Sequence, residues 1–202
     1  MPDISQFLQE ESALHPKMEV QDAVKFIYQG VFGCGHMVND ISAAVSRLRT
    51  EYESVEPSDS LPDFQMLSES WARVNISAVK GRISPETLGR IFVLSAREPK
   101  GGADDFEKSL GLLCKYFGKG DIDTYLQKYK KDGYPPVSHT GAYRSAYNPA
   151  YRVVSAKFIP LLPVFAAIDS KNPHIVGIDG RCGGGKTTYA DLLSLVYPCN
   201  VF

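Results

Sequence analysis

The sequence predicts an α+β fold: a mainly α-helical N-terminal domain over residues 1–171, followed by the first β-strand and helix of an α/β domain over residues 173–202. Three observations support this prediction. Apolar residues recur at helical spacing through most of residues 1–171. Polar residues 169–173 then interrupt the pattern and mark a boundary between domains. A short apolar run, a glycine-rich turn and an amphipathic segment follow, which is the order of elements at the start of an α/β domain.

The composition is that of an ordinary globular protein. Its 202 residues are 44% hydrophobic and 22% charged, which excludes a disordered tail, a collagen-like fibre and a disulfide-dense miniprotein. A net charge of −1 creates no field that would attract nucleic acid or an anionic membrane, so neither partner is expected. The most apolar window, residues 158–168, is far shorter than the roughly 20 residues of a membrane span, and no signal peptide is visible. The four cysteines share no metal-binding or disulfide spacing, which favours the cytoplasm.

Helices dominate the beginning of the chain. Residues 19–29 carry apolar side chains at helical spacing, and Asn39 is the expected N-cap of the next helix. That helix has one apolar stripe, formed by Ile41, Ala44, Val45, Leu48, Tyr52 and Val55. The glycine-rich residues 30–36 are expected to form a tight connection between the two helices.

The middle of the chain adds one strand and further helices. Residues 71–76 alternate as a strand does, and Ser84 with Pro85 begins a helix. Further helices are expected from residue 104 to 117, over 121–131, and over 156–168 around Pro160.

The motif that carries chemistry lies near the C-terminal end. Residues 175–179 form a short apolar run typical of a parallel strand buried on both faces, and residues 186–197 are expected to form a helix. Between them the pattern G-x-x-x-x-G-K-[ST] is complete. Its members, with the threonine that follows, are Gly180, Arg181, Cys182, Gly183, Gly184, Gly185, Lys186, Thr187 and Thr188.

Each residue type in this loop has a physical reason. Glycines let backbone N–H groups approach a triphosphate closely, and the N-terminus of the next helix adds unpaired donors. Lys186 would reach the β- and γ-phosphates of a nucleoside triphosphate as a positive charge and is the candidate catalytic residue. The hydroxyl of Thr187 would be a ligand of Mg²⁺, and Thr188 would extend the ring of amides. The sequence therefore predicts binding of a nucleoside triphosphate, ATP or GTP, with Mg²⁺.

Residues 180–188 resemble the Walker A loop of the uridine kinase and phosphoribulokinase branch of P-loop kinases. That branch has G-x-S-G-S-G-K-T-T after an apolar strand, and this chain departs from it at Cys182 and Gly184, where serines are usual. The likeness covers residues 173–202; residues before it resemble, more loosely, regions fused to such kinases in bacterial proteins. It implies a phosphotransferase that acts on a nucleoside or another small molecule.

The remaining parts of such a kinase are not found in the sequence. One strand and one helix do not make a doubly wound domain, so the kinase domain is expected to be truncated and this chain to be inactive by itself. Leu192, Leu193, Val196, Ile175 and Ile178 would then have to pack on the N-terminal domain, on another chain, or fluctuate. The alternative is a non-catalytic nucleotide-binding regulatory protein or another P-loop NTPase. The choice between ATP and GTP and the oligomeric state stay open.

Other candidate residues have simpler interpretations. His139, Arg144 and Arg152, interleaved with Tyr143, Tyr147 and Tyr151, could bind an anion or stack on a base, although helix surface with half-buried tyrosines is the favoured interpretation. The four histidines show no metal-binding spacing. Cys34 and Cys114 are expected to be buried, whereas Cys182 lies in the loop, where bound ATP would protect it from alkylation.

Overall fold

A computed structural model describes residues 4–201. The described chain contains ten α-helices, three 3-10 helices and a three-stranded sheet, so the predicted mainly helical α+β class is confirmed. The α-helices are α1 (Ile4–Leu14), α2 (Val20–Phe32), α3 (Ile41–Ser54), α4 (Ile76–Val79), α5 (Pro85–Ser95), α6 (Ala103–Leu110), α7 (Lys119–Lys131), α8 (Gly141–Tyr147), α9 (Leu162–Lys171) and α10 (Lys186–Val196). The 3-10 helices are Gly35–Met37, Gly111–Lys115 and Ala156–Leu161. The strands are β1 (Phe64–Met66), β2 (Trp71–Asn75) and β3 (Tyr151–Ser155).

The sheet is antiparallel, with β2 between β1 and β3. Ala72 of β2 pairs with Met66 of β1 and with Val154 of β3, which fixes the register. The strand predicted over residues 71–76 is confirmed as β2, but every residue of β2 and β3 is buried rather than alternating with solvent. The reason is that α2 packs on β2 and α5 packs on β3.

Local capping signals give one correct and one incorrect helix start in the first half of the chain. The Ser84 hydroxyl accepts a hydrogen bond from the Thr87 amide at 3.1 Å, and Pro85 opens α5 as predicted. The prediction of Asn39 as an N-cap is wrong. Asp40 caps α3 instead, because its carboxylate accepts a hydrogen bond from the amide of Ala43 at 3.0 Å. The predicted connection between α2 and α3 is present, but it spans residues 33–40 and contains the 3-10 helix Gly35–Met37, because α2 continues to Phe32.

The single helix expected over residues 156–168 is divided in two. Pro160 lies in the 3-10 helix Ala156–Leu161, and α9 begins only at Leu162. Proline has no N–H to donate and clashes with the preceding turn of an α-helix, so the regular helix starts after it. Residues 169–171, expected to be linker, form the last turn of α9, which ends at Asn172 in a left-handed conformation with φ 43°.

The predicted buried strand over residues 175–179 is wrong. This segment has no regular secondary structure, and Ile175 and Val176 are 88% and 47% exposed. A parallel strand needs a neighbour for its backbone and cover for both faces. Within residues 4–201 the sheet is antiparallel and ends in β1 and β3, and the segment pairs with neither of these edge strands.

The last helix packs against the rest of the protein. Leu193 and Val196 of α10 are buried in the common hydrophobic core, while Leu192 and Ile178 are partly buried against it. Ile175, which was also expected to need burial against another surface, remains exposed to solvent. None of the helices formed by residues 4–201 is both long enough and apolar enough to cross a bilayer.

Candidate functional site

The glycine-rich loop forms a compact turn in front of α10. The amide of Gly184 donates a hydrogen bond to the carbonyl of Arg181 at 3.1 Å, which closes the turn. Gly183 and Gly185 have φ values of 76° and 75°, in the left-handed region that favours glycine. Gly185 is the N-cap of α10, and its carbonyl accepts the helical hydrogen bond from Tyr189. The loop therefore leads directly into the positive end of an eleven-residue helix.

Lys186 folds back across this turn. Its ammonium group donates hydrogen bonds to the carbonyls of Gly180 and Arg181, at 2.8 and 3.0 Å. The ammonium group thus lies against the first two residues of the loop, and backbone oxygens accept both of these hydrogen bonds. An ammonium group held by neutral carbonyls can exchange them for phosphate oxygens, which are stronger acceptors.

The two threonines lie at the exposed start of α10. Thr187 and Thr188 are exposed, and their hydroxyls make no hydrogen bond to another residue of the described chain. A single hydroxyl suits Mg²⁺, which keeps several water ligands and takes others from the nucleotide phosphates. No cluster of three or more His, Cys, Asp or Glu side chains that could hold a metal ion occurs within residues 4–201.

The four cysteines are all free thiols. Cys34 is buried, as expected, and burial raises the pKa of its thiol to about 12. Cys114 was expected to be buried but is exposed, because the 3-10 helix Gly111–Lys115 turns it towards solvent. Cys182 and Cys199 are exposed as well.

The C-terminal end of α10 is held by polar contacts to α5 and α9. The Tyr197 hydroxyl donates a hydrogen bond to Asp169 at 2.8 Å and accepts one from Thr87 at 3.3 Å. The guanidinium of Arg90 donates to the carbonyl of Val196 at 2.9 Å. Asp169 is itself held by the hydroxyl of Thr87 and the amide of Ser84. The loop is thus carried by a helix whose far end is attached to the N-terminal elements.

A buried polar network in the N-terminal part was missed by the sequence reasoning. His139 Nδ1 lies 2.9 Å from Asp22, and His139 Nε2 lies 2.8 Å from the hydroxyl of Tyr151. Burial lowers the pKa of His139 to about 4, although its hydrogen bond with Asp22 acts in the opposite direction. Burial acts to raise the pKa of Asp22, but hydrogen bonds from His139, Thr140 and Glu19 outweigh it and lower that pKa.

A second part of the network is a buried ion pair. Arg73 Nη2 donates to Glu11 at 2.6 Å, and both side chains are almost fully buried. The hydroxyl of Tyr143 also donates to Glu11, and its pKa is raised by burial first and by the carboxylate second. The guanidinium of Arg73 lies 4.7 Å from the centre of the Phe7 ring. His139, Tyr143 and Tyr151 are therefore deeply buried rather than half-buried, whereas Arg144 is exposed.

One signal for this network was present in the sequence. Phe7, Leu8 and Glu11 share one face of α1, so a carboxylate falls on the apolar stripe of that helix. A charged residue on such a face indicates a buried partner. Nothing local could have identified Arg73 as that partner.

No family model matches the chain, and no curated protein and no solved structure is similar to it.

Proposed function

We propose that residues 180–188 bind the phosphates of ATP together with Mg²⁺, and that the protein is a P-loop phosphotransferase of the uridine-kinase-like class with a small-molecule acceptor. Lys186 neutralises charge on the transferring phosphoryl group, Thr187 is a ligand of Mg²⁺, and the loop amides with Thr188 surround the β-phosphate. Residues 173–202 are the beginning of the nucleotide-binding domain, and residues 1–171 are a separate unit in this proposal.

The single observation that carries the proposal is the position of Lys186. Its ammonium group lies within hydrogen-bond distance of two carbonyls of the turn, immediately before the N-terminus of α10. A complete glycine-rich motif, a turn closed by the hydrogen bond from Gly184 to Arg181, and a helix N-terminus at its end together suit a polyanion. The free state of all four cysteines suits a reducing cytoplasm.

Calorimetric titration with ATP and Mg²⁺ tests the proposal. The Lys186→Ala chain is expected to lose at least about tenfold in affinity, because charge-assisted hydrogen bonds to phosphate are removed. Lys171→Ala, which removes an exposed lysine at the end of α9, is the matched control and should bind like the unaltered protein. Equal affinity of the Lys186→Ala and unaltered chains would contradict the assignment.

Thiol labelling gives a second measurement with an internal control. Cys182 lies in the loop and Cys199 lies beyond α10, and both are exposed. ATP with Mg²⁺ should slow alkylation of Cys182 and leave Cys199 unchanged. Equal rates at Cys182 with and without nucleotide would count against a phosphate site at this turn.

A second candidate is a regulatory protein that binds a nucleotide without transferring phosphate. The contacts of Tyr197 with Asp169 and Thr87 favour it, since they attach the loop-bearing helix to the N-terminal elements. The two functions differ in turnover. Release or transfer of the γ-phosphate with nucleosides supplied as acceptors supports the kinase. Saturable binding without turnover, with altered hydrogen exchange in α5 or α9, supports the regulatory protein.

A further inference from the structure

A cavity lined by both charged and apolar side chains lies in the N-terminal part, away from the glycine-rich loop. Its volume is about 600 Å³, within the size range of small-molecule sites. Its walls come from α2, the 3-10 helix Gly35–Met37, α3, α5 and β3. The lining side chains that matter for the argument are Lys25, His36, Arg47, Glu51, Tyr151 and Arg152.

Cations outnumber the available acids in this cavity. Lys25, Arg47 and Arg152 line it, and of its two acidic residues Glu51 lies 2.5 Å from Arg152 in an ion pair. The other acid, Asp40, is engaged as the N-cap of α3. Arg47 therefore presents positive charge without a paired acid among the described residues of the wall, and Lys25, whose pKa burial lowers to about 7, adds a charge when it is protonated.

Two nitrogen-bearing groups of the wall lack a protein partner. The Nζ atom of Lys25 makes no hydrogen bond to any residue between 4 and 201, and it lies 5.3 Å from the centre of the Tyr151 ring. The Nδ1 atom of His36 is buried and also lacks a hydrogen-bond partner in the described chain. Burial lowers the pKa of Lys25 to about 7 and that of His36 to about 4. A buried polar atom without a partner, such as Nδ1 of His36, is uncommon, and beside a cavity it suits a water molecule or a polar ligand.

The remaining wall is held rigidly. Arg152 is 7% exposed and uses Nη1 for both its ion pair with Glu51 and its hydrogen bond to the carbonyl of Tyr151. Its guanidinium also lies 5.6 Å from the centre of the Phe92 ring. The Tyr151 hydroxyl is fixed by His139, which is fixed by Asp22. A site whose charged group is already positioned loses little entropy when a ligand binds.

We propose that this cavity binds a small molecule through an anionic oxygen group, a phosphate or a carboxylate. Arg152, Lys25 and Arg47 attract the anion, and Tyr151 supplies an aromatic surface beside it. The site is distinct from the glycine-rich loop. Phe92 of α5 lines the cavity, whereas Thr87 and Arg90, on another face of the same helix, hold α10. The proposal is thus independent of the proposed nucleotide function.

Labelling with pyridoxal 5′-phosphate tests the site, because this probe carries a phosphate and an aldehyde. The full chain with Lys186→Ala is used, so that the glycine-rich loop does not contribute. At pH 7 the aldehyde condenses with the neutral amine of Lys25 to an imine and water, and borohydride reduces the imine to a stable amine. Peptide mapping should find Lys25 labelled several-fold faster than the exposed Lys171.

Competition distinguishes the two sources of the anionic group. Protection of Lys25 by pyrophosphate assigns the site to phosphate compounds, and protection by citrate assigns it to carboxylates; either supports the proposal. Arg47→Gln should weaken the protection several-fold, whereas Arg49→Gln, an exposed arginine on the same helix, should not. The proposal is overturned if Lys25 is not labelled preferentially, if sodium chloride at equal ionic strength protects equally well, or if Arg47→Gln leaves protection unchanged.

Discussion

The hydroxyl of Tyr197 lies 2.8 Å from Oδ1 of Asp169, and this contact joins the end of α10 to the last turn of α9. The same oxygen of Asp169 accepts a hydrogen bond from Thr87 in α5 at 2.9 Å. Three helices thus meet at one carboxylate. Buried Leu193 and Val196 lie on the adjoining turns of α10, so polar and apolar contacts hold the same end of the helix.

Replacing Tyr197 by phenylalanine should loosen α10 without unfolding the protein. A hydrogen bond to a carboxylate contributes about 1.5 to 3 kcal/mol, and its loss should reduce the amide protection of α10 roughly tenfold or more. Hydrogen exchange measured by mass spectrometry checks this. Tyr189→Phe, at an exposed tyrosine on the same helix, should leave protection unchanged.

The buried ion pair between Arg73 and Glu11 should be costly to break. Arg73→Met leaves a carboxylate that is 0% exposed without its cation, and the free energy of unfolding should fall by about 3 to 5 kcal/mol. Arg49→Met breaks an ion pair with Glu86 in which both side chains are about half exposed, and it should cost less than about 1 kcal/mol. Urea unfolding followed by circular dichroism measures both. Similar losses for the two variants would contradict this assignment.

Gly33 should tolerate no side chain. A Cβ there would overlap the indole ring of Trp71, and the φ of 64° at this position is unfavourable for other residues. Gly33→Ala should therefore cost roughly 3 kcal/mol or more, because strain and overpacking add. Gly81 has a φ of 80°, but a Cβ there would meet no atom within 4 Å, so Gly81→Ala should cost only about 1 to 2 kcal/mol. Thermal unfolding compares the two, and equal effects would exclude the steric contribution of Trp71.

Stability should fall as the pH is lowered from 7 to 5. His36 and His139 have folded-state pKa values of about 4, below the 6.5 of an ordinary histidine. The unfolded chain therefore binds more protons in this interval, so unfolding becomes easier as protons are added, by about 1 to 2 kcal/mol for each histidine.

Urea titrations at several pH values measure this slope. His36→Gln should remove a substantial part of it. A flat profile between pH 7 and 5 would contradict the lowered pKa values of His36 and His139.

The parts of the fold that the sequence predicted are those with local causes. The Ser84–Pro85 start of α5 and the apolar spacing of α2 depend on residues within a few positions of one another. Strand β3 was not predicted, because its apolar run is short, contains Arg152 and closely follows Pro149. Its pairing with β2 also joins residues that are far apart in the sequence. The prediction of a strand over residues 175–179 is wrong because it used only a local apolar pattern. A strand forms only where another strand pairs with it.

The two candidate sites also differ in whether their residues are close together in the sequence. The glycine-rich loop is contiguous, so its residues could be named from the pattern alone, and their binding of ATP and Mg²⁺ remains a prediction. The cavity is assembled from α2, α3, α5 and β3, and only tertiary packing places Lys25 and Arg152 on the wall of one cavity. Arg152 and Tyr151 belong to a polar and aromatic stretch that is visible in the sequence. Their contacts with Glu51 and His139 depend on tertiary packing, so the sequence alone does not predict them.

The close approach of Gly33 and Trp71 has a practical consequence. Trp71 is the chain's single tryptophan and is 2% exposed. An indole shielded from water emits at shorter wavelengths than one in solvent, so intrinsic fluorescence monitors the joint between α2 and β2 without any attached dye. The fluorescence of Trp71 therefore reports on the packing of the hydrophobic core.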